Sequence, residues 1–136
     1  MTIQEHVRDQ TSVRLRRLAS EVNRAAKSCD KEAVHDLRVA IRRLSRCLQV
    51  FSQFYPDGSA KKMRRRLKAL MDPAGTLRDL DIALDLVAEA GPRRKLNLAY
   101  RLADARRIAK LNLERQVRLW KEDSFSRKWK STLGLN

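Results

Sequence analysis

Between residues 34 and 51 the apolar side chains Val34, Leu37, Ile41, Leu44, Leu48 and Phe51 recur at spacings of 3, 4, 3, 4 and 3. Only an α-helix brings such positions onto one side, because its period is about 3.6 residues; a strand would scatter them over both faces. A single apolar seam of this kind needs other helices to cover it. The rest of the chain offers them. Its four glycines and three prolines are few for 136 residues. Breaks fall at SCDKE (28–32), YPDGS (55–59), DPAG (72–75) and AGP (90–92), and no alternating strand pattern persists between them.

The segments between breaks predict an all-α, single-domain chain: an antiparallel four-helix bundle with a kinked third helix and a short C-terminal helix over residues 1–136. Helix one is expected over about 3–27, with Ile3, Val7, Leu18, Val22 and Ala25 inward. Asp30 is the expected N-cap of helix two. Helix three should run from the PDG turn toward Ala90, kinked or broken at DPAG, because Pro73 lacks an N–H donor and Gly75 weakens the helix. Beyond it Leu77, Leu80, Leu84 and Val87 renew the seam. Pro92 suits the first turn of helix four, which should reach about Lys121. A last helix over 124–133 carries Phe125 and Trp129 as docking residues.

Charge is the second constraint. The chain has 31 Lys and Arg against 16 Asp and Glu, a formal net charge of +15. It is unevenly spread: residues 35–68 carry ten cations and two acids, residues 93–121 the same, and residues 69–92 one cation and five acids. Two basic segments flanking an acidic one point to a polyanionic partner. On helix two His35, Arg38, Arg42 and Arg46 form a stripe about a third of a turn from the apolar seam. Like charges so placed repel by a few tenths of a kcal/mol per pair, roughly, and nothing in that helix offsets it. Helix three repeats the pattern with Lys61, Arg65 and Lys68, Arg64 lying beside them. In helix four Arg106 and Lys110 fall within the apolar arc of Leu102, Ala109, Leu113 and Val117. Cations there must line a wet groove, snorkel outward, or pair with an acid such as Asp79, Asp81 or Asp85.

The planar fork of arginine meets phosphate oxygens in bidentate fashion. A row of such groups one turn apart could follow a linear chain of phosphates or a nucleic-acid backbone. Aromatics are 5% of the chain and none interleaves with the stripes before Phe51, so base stacking lacks a platform. Catalysis finds little support. There is no phosphate-cradling glycine loop and no nucleophile motif. The acids cluster in RDLDIALD, where Arg78 with Asp79 or Asp81 reads as a structural ion pair. His6 and His35 are the only histidines, so neither a metal nor another cofactor is expected. His35 on the arginine stripe is either a packed histidine or an anion contact. Cys29 and Cys47 read as reduced thiols of a cytoplasmic protein, and no signal peptide or transmembrane span is expected.

The stretch VHDLRVAIRRL, followed after a PDG turn by a basic helix and then LRDLDIALDLV, resembles the CHAD domain, the conserved histidine α-helical domain. The resemblance covers most of the chain. It implies a non-enzymatic module that binds inorganic polyphosphate through basic residues lining a groove, associated with polyphosphate granules. His35, Arg38, Arg42 and Arg43 match the family's signature, and Arg46 continues the row. Lys61, Arg65, Lys68, Arg106 and Lys110 rest on the helical wheel instead. A full domain of the family looks like two four-helix halves, and this chain corresponds to one. A homodimer that sets two helix-two stripes around one cleft is therefore expected. The competing functions are a basic RNA- or DNA-binding bundle and a regulatory partner of a polyphosphate- or triphosphate-metabolising enzyme.

Overall fold

A computed structural model describes residues 1–91 and 96–135. Five α-helices follow in order: α1 (Ile3–Lys27), α2 (Lys31–Val50), α3 (Ser59–Glu89), α4 (Leu96–Glu122) and α5 (Phe125–Thr132), with one 3₁₀ turn at Ser52–Phe54 between α2 and α3. Pro92, expected in the first turn of the fourth helix, lies outside the described residues.

Local chemistry sets the ends. Thr2 accepts from the Glu5 N–H at 3.1 Å while the Glu5 carboxylate accepts from the Thr2 N–H, a reciprocal cap on α1. The Asp30 carboxylate accepts from the Ala33 N–H at 2.8 Å and starts α2. Gly58 opens α3 at φ +77°, a conformation that side chains with a Cβ resist. Of the kink or break expected at DPAG, the break is not made: α3 is continuous through Pro73. Proline removes one donor, but the helix gains packing on both sides of it, through Leu70 and then Ala74 and Leu77, all buried.

Each of α1–α4 packs against its sequence neighbour, and α4 closes the ring against α1. α2 and α4 therefore lie diagonally across the bundle. Cross-helix contacts fix the directions. Arg24 reaches Asp36, Lys31 reaches Asp85 and Arg66 reaches Asp123, so each neighbouring pair is antiparallel. The core is built from Leu15, Leu18 and Val22 of α1, Leu37, Ile41, Leu44 and Leu48 of α2, Leu67, Leu70 and Leu77 of α3, and Leu113 and Val117 of α4. Burying each such side chain is worth about 1.5–3 kcal/mol. Ile3, expected inward, is 63% exposed; it precedes the point where α1 meets its neighbours, and Val7 is the first buried residue.

Two satellites close the ends. Thr11 is fully buried, donates to the Val7 carbonyl at 2.6 Å, and so accepts from the Tyr55 hydroxyl at 2.6 Å. Burial pushes the Tyr55 phenol above its ordinary range. α5 folds back so that Trp120, Phe125 and Trp129 meet edge to face, with centroids 4.9–5.5 Å apart. The Arg66 guanidinium lies 5.3 Å and 5.7 Å from the two indole rings, which anchors α5 to α3.

Candidate functional site

The seam of α2 faces the core, so its opposite side must face water. His35, Arg42, Arg43 and Arg46 are exposed there, and Arg38 is half-buried at the edge nearest α3. Clefts run along both flanks of this helix.

The first lies between α2 and α3 and holds about 320 Å³. Its apolar floor is Ile41, Leu67 and Met71. Its walls carry Arg42 and Arg46 from α2 and Arg64 and Lys68 from α3, with Ser45 and Gln49 as neutral hydrogen-bonding groups. No carboxylate lines it. Lys68 alone has an acid near, Asp72 at 3.4 Å, and both are exposed, where such a pair is worth little. Among the described residues the Nε of Arg64 is shielded from water and has no hydrogen-bond partner; the Nε of Arg38 is in the same state. A buried donor left unpaired costs about 1–3 kcal/mol.

The second flank, toward α1, carries smaller clefts of about 270–280 Å³ each. Arg43 sits centrally, with Arg14 and Arg17 of α1 opposite and His35 and Asp36 at one end. At the other end His6, Gln10 and Arg46 surround the mouth above Cys47. The acids on this side are engaged. Asp36 accepts from Arg24 at 2.5 Å, and Glu21 lies 3.4 Å from Arg17 and 3.6 Å from Arg24. The contact with Asp36 also raises the Arg24 pKa. Arg46 is the one wheel-predicted cation that lines both flanks.

The predicted stripe is thus divided. Arg42 and Arg46 join the α2–α3 cleft, while His35 and Arg43 line the α1–α2 side. Lys61 and Arg65 are exposed on α3 but line neither cleft; the residue that does is Arg64, which the wheel put beside the stripe. Arg14 and Arg17 come from a helix read only for its core. Arg106 and Lys110 sit on α4, diagonally across the bundle from the α2 clefts. Arg106 is not free for a ligand there. Its Nε–H is hydrogen-bonded to the carboxylate of Asp81, which is buried between α3 and α4. The internal ion pair is the outcome, and Asp81 is its acid. This also corrects the pairing expected within RDLD, since Asp81 serves Arg106 and Arg78 makes no ion pair among the described residues. Lys110 is half-buried near Cys29, whose thiol is pushed up to about 11, chiefly by burial.

Among the described residues no group of three His, Cys, Asp or Glu could hold a metal ion. Among them too, no helix is long and apolar enough to cross a membrane. Both cysteines are buried and unbridged.

The arrangement can hold oxyanions by charge-assisted hydrogen bonds from two helices at once. Comparison with known proteins finds no curated protein and no solved structure that matches the chain. The profile of one family, described as the CHAD domain, matches residues 10–133, from the first third of α1 to the residue after α5. On that match over nearly its whole length, the chain belongs to the CHAD domain family.

Proposed function

We propose that this protein binds inorganic polyphosphate without turning it over, and that the α2–α3 cleft is the principal site. CHAD domains are associated with triphosphate- and polyphosphate-related proteins. The observation that carries the reading is the convergence of Arg42, Arg46, Arg64 and Lys68 on one cleft that no carboxylate lines. Phosphate oxygens supply the missing counter-charge and accept from the Arg and Lys N–H groups that line the cleft. His35, Arg38 and Arg43 extend the site along α2. A homodimer and residence in the cytoplasm at polyphosphate granules belong to the same reading.

A phosphate chain suits this cleft better than a nucleic acid does. No aromatic side chain lines it, whereas single strands are held in part by stacked bases, at about 1–3 kcal/mol each. The test is isothermal titration with polyphosphates of several lengths at two salt concentrations. Affinity is expected to rise with chain length and fall steeply with salt. The double variant Arg42→Ala/Arg64→Ala is expected to weaken long-chain binding at least about tenfold, or 1.4 kcal/mol, with helicity unchanged. An unaltered affinity would remove the cleft from the reading. In competition, polyphosphate should displace a nucleic-acid oligomer at equal phosphate concentration; the reverse order would favour a nucleic-acid ligand.

A further inference from the structure

α3 and α4 outreach the other two long helices. Lys31, the first residue of α2, meets Asp85 at 3.1 Å, so the last turn of α3 runs past the start of α2. Cys29, just beyond the end of α1, lies within electrostatic reach of Lys110 and Glu114. α4 continues from there back to Leu96, some 14 residues or about 20 Å at 1.5 Å per residue. Among the described residues, α3 and α4 have only each other here.

The burial pattern records it. From Ile82 to Gly91 and from Asn97 to Asn112 no described side chain is buried. Ile82 is 41% exposed, Leu86 59%, Leu98 43% and Tyr100 69%. Residues 82 and 86 follow Arg64 and Lys68 by 18 positions, five full turns, so they share the flank of α3 that borders α2 lower down. They stand where a longer α2 would cover them.

Charge identifies what covers them instead. Residues 79–89 of α3 hold four acids and no Lys or Arg; residues 97–110 of α4 hold four cations and one acid. Asp79 and Glu89 on the first, and Arg101 on the second, make no ion pair among the described residues. A partner of one sign suits only one of these helices. A second copy, turned about a twofold axis, offers each its complement.

We infer that this overhang is a self-association surface: the α3–α4 ends of two copies pair into a second four-helix bundle, with Ile82, Leu86 and Leu98 at its centre. The charge pattern sets each α3 beside the partner's α4, because α3 against α3 would oppose acid to acid. The α2 clefts stay open in such a pair, so this differs from a dimer joined through two α2 faces.

Sedimentation equilibrium of the whole chain without any polyphosphate tests it. The wild type is expected to dimerise in the micromolar range, and Ile82→Lys/Leu86→Lys to weaken that association at least about tenfold. Both residues are exposed, so helicity by circular dichroism should not change. Leu98→Lys is the second variant should the first fold poorly. Glu89→Arg should loosen the dimer, and adding Arg101→Glu should restore it. A wild type monomeric throughout, or variants that dimerise as tightly as it does, would overturn the inference. Because no ligand is present, that result leaves the α2–α3 cleft as a polyphosphate site standing or falling on its own test, though it would bear on the homodimer of that reading.

Discussion

The Arg106 side chain on α4 pairs with Asp81 on α3, and the two are unequally covered: the carboxylate is 2% exposed and the guanidinium 26%. The acid is the partner that burial would punish. Removing its cation leaves a charge inside the bundle, whereas removing the acid leaves an arginine that can turn to water.

Arg106→Leu is therefore expected to destabilise the fold by about 3 kcal/mol, the low end for a broken buried pair because Arg106 keeps some contact with solvent. Asp81→Asn should cost less. Denaturant unfolding measures both. Polyphosphate affinity of either variant, where folded, should match the wild type; a large loss for Arg106→Leu would return this residue to the binding surface.

Binding variants should separate the cations by place, not by number. Arg46→Ala and Arg64→Ala are each expected to weaken polyphosphate binding and to lower the salt slope by about one. Lys61→Ala and Arg65→Ala remove the same charge from positions outside the clefts and should change both quantities much less. Equal effects from all four would mean that only overall charge matters.

The cysteines should be silent in the native state. Cys29 is fully buried and its thiol is pushed up to about 11, so it stays neutral at pH 8. A maleimide or disulfide reagent should label Cys29 and Cys47 only after denaturant is added. The sign of the pH effect follows. The folded state holds the Cys29 proton more tightly than the unfolded chain, with its ordinary value of 9.0. Stability from this group is complete below pH 9 and declines as pH rises toward about 11.

Gly75 lies inside α3, and a Cβ added there would meet no atom within 4 Å. Gly75→Ala is expected to stabilise by about 0.5–1 kcal/mol, since alanine loses less backbone entropy in a helix. Thermal unfolding would show it as a higher Tm; a lower one would mean that the space is not free.

The 3–4 spacing of α2 was legible because the period of a helix is fixed by its backbone. Leu37, Ile41, Leu44 and Leu48 are all buried, and only Phe51, at the helix end, is half covered. Thr11 was not legible as core. Its burial depends on the hydroxyl of Tyr55, 44 residues away. The site was legible by stripe but not by flank. A helical wheel sets Lys61, Arg65 and Lys68 together, yet which of them meets α2 is decided by how α3 is rotated in the bundle, and that rotation brings in Arg64. Likewise the sequence offers three acids for Arg106. Only the α3–α4 register, seen also in Arg66 and Asp123 at 3.6 Å, selects Asp81.

Arg46 borders the cleft on either flank of α2, and it has a single guanidinium. Two small anions, one per flank, would share the single positive charge of that group, so on the proposed reading the second should bind more weakly than the first. A single strand long enough to drape over the ridge meets no such conflict and engages both sides in one event. On the proposed reading, a preference for long chains would then follow from one side chain, without any pocket that measures length.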